Sequence, residues 1–298
     1  MQALCVTATS KAYRNKGDLR AALAQGSEAR RISQASGNLT AEVWVSQQYA
    51  SCCVMVGDYA SAANLCAAIT SILSALGLAD VHAYRNLLNV SAEIFDRRTE
   101  YGAALALRLR IYHSRRAFDD LPKAWDLLNT ALIEIELEDL ASAEQRVRTA
   151  RSAVSPTVWK QAGIDIIADV VEASLNFHKG YYPKATEGFQ RVITNTNWID
   201  MGMVAMEKLS NLAFKTSDIP TATRCSVLLL VSAYKADDLA TKHQALRRLG
   251  DIYLSRADSE TALVLLQVAL EGFRVMGVHR GIADCLIRMG DVWQERGD

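Results

Sequence analysis

Two short patterns in this chain of 298 residues have the spacing of reactive groups. Ser232-Ala233-Tyr234-Lys235 fits Ser-x-x-Lys, which sets a hydroxyl nucleophile one helical turn from an amine base. Asp165 and Asp169 stand at i and i+4, so a helix would present their carboxylates on one face for acid–base work. Neither pattern has company. The other motifs of the Ser-x-x-Lys enzymes are missing, and a polar helix face accounts for the two aspartates. Gly-x-Ser-x-Gly, His-Glu-x-x-His and the Gly-x-x-x-x-Gly-Lys-Ser/Thr phosphate loop are all absent. The five histidines, His82, His113, His178, His243 and His279, are each isolated by 30 or more residues. These residues predict no metal, no cofactor and no catalytic centre.

The six cysteines, Cys5, Cys52, Cys53, Cys66, Cys225 and Cys285, form no Cys-x-x-Cys pair. Scattered in a large helical chain, they read as reduced thiols that pack as small hydrophobes in a cytoplasmic setting. Cys53 and Cys66 fall on facing sides of one repeat, with no disulfide expected. Half of the residues are hydrophobic, ample for burial, and 33 basic residues balance 33 acidic ones. A chain without net charge or a basic stripe predicts no nucleic-acid partner. No apolar run is long enough for a membrane span, and the N-terminus lacks the pattern of a signal peptide.

What positions every one of these residues is a turn that recurs. It reads Gly17-Asp18-Leu19, Gly57-Asp58-Tyr59, Thr99-Glu100-Tyr101, Glu138-Asp139-Leu140, Gly180-Tyr181-Tyr182, Ser217-Asp218-Ile219, Ala257-Asp258-Ser259 and Gly297-Asp298. The spacings are 40, 42, 39, 42, 37, 40 and 40 residues, the mark of a stacked array. Five residues after each turn stands Ala22, Ala62, Ala104, Ala143, Ala185, Ala222 or Ala262. Seven residues before stands Ser10, Ala50, Ala92, Ala131, Ala173, Ser210, Gly250 or Gly290. Small columns on both sides of a turn predict two helices folded back on each other, with backbones close where these residues cross. Each of the four prolines, Pro122, Pro156, Pro183 and Pro220, falls where a helix should begin.

The pattern predicts one all-α domain over residues 1–298. Its repeats run 2–38, 40–79, 81–118, 121–154, 157–195, 198–235 and 238–277, with a half repeat at 279–298. A small residue seven before the turn, an aromatic four before it (Tyr13, Phe95, Tyr253, Trp293), Gly-Asp-Tyr at the turn and alanine five after it resemble the tetratricopeptide repeat. Glu134 and Asn176 depart from the aromatic position. The length resembles the longer variant of kinesin-light-chain-like and signalling-ATPase-associated arrays. Ala245 to Tyr253, with Val278-His279-Arg280 and Arg288 to Asp291, is similar to arrays of fungal proteins, some of which follow a NACHT-type nucleotide-binding domain. The resemblance implies a right-handed α-solenoid of seven hairpins and a terminal single helix. The aromatics are expected to fill its core.

The resemblance also implies a groove lined by positions 13, 10, 6, 3 and 2 before each turn. Carried onto this chain, these supply an apolar middle of Trp125, Leu128, Leu132, Ile135, Ile167, Val170, Phe177, Val204 and Phe214, with His178, Glu207 and Asn211 among it. Polar ends come from Asn86, Asn89, Glu93, Asp96 and Arg97 on one side. On the other stand Gln244, Arg247, Asp251, Asp284, Asp291 and Glu295. Either the groove takes an extended or helical segment of a partner protein, or tighter packing closes it and buries the stripe. The expected binding set is Trp125, Leu128, Leu132, Phe177, Phe214, Asn86, Asn89 and Arg247. The function implied is a non-catalytic protein-interaction scaffold, or the sensor part of a larger signalling protein; an enzyme with a groove pocket and a structural spacer are the alternatives. At the C-terminus, Ile282, Cys285, Leu286, Met289 and Trp293 form an apolar stripe expected to seal the array.

Overall fold

Among the described residues, each recurrent turn is a left-handed residue between two helices. Gly57 and Gly180 have φ of 79° and 80°, and Thr99, Glu138, Ser217 and Ala257 take φ between 59° and 63° at the same place. The turn N–H bonds three residues back and the next N–H bonds five back, as in Glu138 to Ile135 (3.0 Å) and Asp139 to Glu134 (2.9 Å). These bonds satisfy the last carbonyls of the first helix. The aspartate that follows then caps the second helix. Asp18, Asp58, Asp139, Asp218 and Asp258 each accept from the backbone N–H three residues on. One dipeptide thus stops one helix and starts another.

The computed structural model describes residues 2–15, 18–78, 81–115, 119–161, 163–196 and 198–296. The turn residues Gly17, Gly297 and Asp298, the loop residues Ala79, Asp80 and Asn197, and the side chain of Glu295 lie outside this description. Sixteen helices follow one another, with no strand among the described residues. They are α1 (Gln2–Asn15), α2 (Leu19–Ala35), α3 (Leu39–Met55), α4 (Tyr59–Ala75), α5 (His82–Arg97), α6 (Tyr101–His113), α7 (Asp120–Glu136), α8 (Leu140–Ala153), α9 (Pro156–Gln161), α10 (Ile164–His178), α11 (Tyr182–Asn195), α12 (Ile199–Lys215), α13 (Ile219–Ala236), α14 (Leu239–Ser255), α15 (Ser259–Met276) and α16 (His279–Arg296). Successive helices pack on one another from α1 to α8 and from α9 to α16, and first helices also touch across repeats. This is the expected all-α solenoid.

The two small columns form its crossings. All seven column alanines are 0% exposed. The hydroxyls of Ser10 and Ser210 donate to the carbonyls of Ala22 and Ala222 in the facing helix, at 2.7 and 3.1 Å. At Gly250 an added Cβ would come 2.8 Å from Leu266. Backbones this close leave no room for a larger residue.

Two expectations need correcting. The aromatics four before the turn are not core residues: Tyr13 is 37% exposed, Trp293 45%, and Phe95 and Tyr253 are half-buried. The buried column lies one residue earlier, at Cys52, Ile94, Ile133, Leu175, Leu212, Ile252 and Val292. One residue is about 100° of helix rotation, enough to move a side chain from the space between neighbouring hairpins to the edge of its own. The first helix of repeat five is also not single. Pro156 does open it, but Gly163 (φ 69°) breaks it into α9 and α10. An added Cβ at Gly163 would come 2.8 Å from the ring of Trp198, so the break makes the space that this indole fills.

Candidate functional site

The first helices meet along one line of side chains. The residue ten before the turn in one repeat reaches the residue thirteen before the turn in the next. Gln47 accepts from Asn86 at 3.5 Å, Glu207 accepts from Gln244 at 3.1 Å, and Arg247 lies 3.9 Å from Asp284. In the middle of the array the same positions hold Leu128 with Ile167 and Val170 with Val204, each pair inside one apolar cluster. The line is therefore a ladder with polar rungs at both ends and apolar rungs between. One rung is missing: Asn89 accepts from Arg108 of its own hairpin at 2.8 Å, and Trp125 turns to stack on Trp198, 5.4 Å between ring centres.

Repeats four and six also meet across the broken repeat five. Besides Trp125 on Trp198, Lys208 donates to the carboxylate of Glu136. Burial pushes the Glu136 carboxyl up, but the Lys208 ammonium pulls it further down, leaving it below its ordinary value. Burial lowers the nearby His178 imidazole, and Glu136 opposes that shift. Asp96 is pushed up by burial, with Arg108 and Arg97 opposing. Side chains of six helices therefore crowd one electrostatic neighbourhood, since Arg280 and Glu207 act on the Tyr101 hydroxyl along with Glu136 and Asp96, and His178 acts on Glu136.

A second meeting joins parts of the chain far apart in sequence. Arg97, at the end of α5, donates to Asp238, the cap of α14, at 3.0 Å and to the Thr241 hydroxyl at 3.4 Å. An added Cβ at Gly57 would lie 2.7 Å from the sulfur of Met276 and 3.7 Å from Leu239. Tyr59 is buried here beneath Arg98, and burial pushes its phenol up to about 12. The turns of repeats two and three thus seat on repeat seven, closing the array on itself.

Nothing similar assembles around the reactive patterns. Ser232 is half-buried and Lys235 exposed on α13. Asp169 pairs with Arg191 at 3.6 Å, beside Glu172 with Arg151, so these carboxylates tie α10 to its neighbours. Burial raises Asp169, with Arg191 opposing and Asp165 adding to the rise. No group of three His, Cys, Asp or Glu among the described residues could hold a metal. All six cysteines are free thiols and five are buried; burial pushes Cys53 up to about 12 and Cys66 and Cys285 to about 11. Such thiols are poor nucleophiles. No described helix is long and apolar enough to cross a membrane.

No protein-family model matches the sequence, and a comparison with curated proteins finds no match. Solved structures do match. A tetratricopeptide repeat protein from Parabacteroides merdae superposes with a TM-score of 0.52 at 16% identity, over 95% of this chain and 98% of that one. The chain has the tetratricopeptide-repeat fold. A Rap protein complexed with Competence and Sporulation Factor matches this tetratricopeptide array at TM-score 0.55 and 14% identity, over 97% of this chain and 74% of that one. A signal-transduction ATPase with numerous domains and a tetratricopeptide repeat sensor, from Pyrococcus horikoshii, matches at TM-score 0.52 and 13% identity. The array covers 91% of its own length there and 43% of that protein's.

The candidate binding residues of the tetratricopeptide array divide into three groups. Asn86 and Arg247 are half-buried members of polar rungs, while Asn89 is held by Arg108. Trp125, Leu132, Phe177 and Phe214 are half-buried, and three of them carry a lid: Trp198 on Trp125, Lys215 over Phe177 at 5.2 Å and Arg248 over Phe214 at 5.4 Å. Leu128 is 0% exposed in the core of repeats four and five, so it supports the surface without forming it. Ile135, Ile167 and Val170 are buried in the same way. The sequence reading passed over Glu136 and Lys208. Glu136 stands two before its turn, a groove position; Lys208, nine before its turn, carries no mark in the repeat pattern.

Proposed function

We propose that this array is a protein-interaction scaffold that holds a segment of a partner protein against its first helices. The observation that carries the reading is the ladder: seven first helices, from α3 to α16, line up their side chains in rungs with a single gap between α5 and α7. A long surface with polar rungs at both ends, and half-buried apolar side chains over the buried rungs between them, suits an extended or helical segment, which offers both kinds of side chain along its length. Asn86, Asn89 and Arg247 would meet its polar groups. Trp125, Leu132, Phe177 and Phe214 would meet its apolar ones, with the cationic lids of Lys215 and Arg248 drawn aside. Aromatic anchors of this kind concentrate binding energy. The Rap protein complexed with Competence and Sporulation Factor offers a precedent for this fold holding a ligand.

Affinity capture from cell extract tests the reading. Trp125→Ala with Phe177→Ala should abolish capture of a partner that the wild type retains, with the helical circular dichroism unchanged. Full retention by the folded double variant would move the surface away from the first helices.

A further inference from the structure

Three groove positions carry carboxylates that meet inside the closed array: Asp96 of α5, Glu136 of α7 and Glu207 of α12, three, two and ten residues before their turns. Glu136 acts on Asp96, and all three act on the Tyr101 hydroxyl. One cation stands among them. Lys208 reaches from α12 past α10 and donates to Glu136. Burial works to lower its ammonium, yet Glu136, with Glu207 and Asp96, holds it above its ordinary value. The other cations nearby are engaged or turned outward. Arg97 is committed to Asp238, Arg108 donates to Asn89, Arg248 lies 3.3 Å from Asp251, and Arg280 is exposed on α16. Among the described residues, Asp96 therefore has no hydrogen bond and no cation within 4 Å, and Glu207 has only the Gln244 amide. A carboxylate in a narrow, poorly hydrated space without a counter-charge is costly. Burial pushes Asp96 up, and Arg108 and Arg97 offset this only from a distance.

We propose that Asp96, Glu136 and Glu207 form a seat for one lysine or arginine side chain of the partner segment, with Lys208 as the chain's own occupant of part of it. The inference rests on the reading that such a segment lies along the first helices, and adds the chemistry the segment must carry. The incoming ammonium or guanidinium bonds Asp96 and Glu207 and shares Glu136 with Lys208, so each carboxylate gains a charged partner. Phe177 and Phe214 stand three before their turns, the position that Asp96 holds in its own repeat. The basic residue is therefore flanked by apolar ones that meet these rings. Lys208 lets the seat exist in the free protein: it neutralises one carboxylate of the three and leaves two for the guest. An acidic residue in the same place would set a further carboxylate beside Asp96 and is rejected.

The probe is a randomised dodecapeptide library displayed on phage and panned against the full chain. Retained peptides should carry a lysine or arginine beside apolar residues. Made synthetically and followed by fluorescence anisotropy, such a peptide should bind the wild type at least about tenfold more tightly than Asp96→Asn, the usual size of a charge-assisted bond, and should lose the same factor when its basic residue becomes norleucine. The two losses should not add, because they remove one contact. Asp96→Asn should melt at or above the wild-type temperature, since it removes a charge that the free protein leaves unpaired. Earlier melting would make Asp96 a structural tie and overturn the proposal. Retained peptides without a basic residue, or with equal affinity for wild type and Asp96→Asn, would also overturn the seat; if their binding were still lost with Trp125→Ala and Phe177→Ala, the groove reading would stand. A library that yields no retained peptide would remove both.

Discussion

The crossings inside the hairpins and the seam that closes the array are built from opposite materials. A crossing is alanine against a small residue, dry and repeated seven times. The seam occurs once, and joins Arg97 to Asp238 across 141 residues and Gly57 to Met276 across more than half of the chain. A crossing holds because nothing larger fits. The seam holds because a nearly buried carboxylate has found a guanidinium, an interaction that depends on geometry and ionic strength. Neighbour contacts therefore give the array its shape, and the seam fixes how far it winds.

Substitutions in the two regions should separate them. The largest effect is expected from Ala143→Phe, which forces a ring into a crossing with no exposed surface and should cost about 3 kcal/mol. Thermal unfolding measures it, and an unchanged midpoint would refute the repeat register. Arg97→Ala comes next. It leaves Asp238 buried with only its own helix for partners, at about 1–3 kcal/mol. Hydrogen exchange should quicken at the α3–α4 turn and the end of α15 while α8 stays protected. Rising salt should shrink the difference between Arg97→Ala and wild type, and leave the Ala143→Phe difference unchanged.

Helix caps sit between these regions and bring a pH signature. Hydrogen bonds from the Ser142 side chain and backbone hold the exposed Asp139 carboxyl below its ordinary value, and Thr221 does the same for Asp218. A depressed folded-state pKa gives stability that is complete above the unfolded value and fades as pH falls through the folded one. Asp139→Ala should therefore melt earlier than wild type at neutral pH, and the two curves should converge in strong acid. Smallest of all, Arg148→Ala on the exposed side of α8 should change stability by about 0.5 kcal/mol or less. A larger loss would reveal a contact outside the repeat scheme.

Periodicity decides what could be read in advance. The alanine column, the turns and the hairpin order recur at a fixed spacing, so seven imperfect copies reinforce one another. The aromatic column recurs as well, and was misplaced by one residue because packing between hairpins and packing at their edge differ by a single helical step. Arg97 with Asp238, Glu136 with Lys208, and Trp125 with Trp198 each occur once, between residues many positions apart. Nothing periodic marks them. Gly163 looks like any helical glycine until the indole of Trp198 is seen to need its space. Leu286 and Trp293, 43% and 45% exposed, read as a seal because an apolar stripe carries no label for the side it faces; Cys285, Met289 and Val292 are the residues that pack onto the array. The groove register placed Asn86 and Arg247 on the ladder, yet it could not say that Lys215 and Arg248 would lie over Phe177 and Phe214.

The central claim is that a partner segment lies along the first helices. Hydrogen exchange of the array, alone and with its captured partner, tests it most directly. Slower exchange is expected in α5, α7, α10, α12 and α14, with α8, α11 and α13 unchanged. Slowing confined to those second helices would contradict the account.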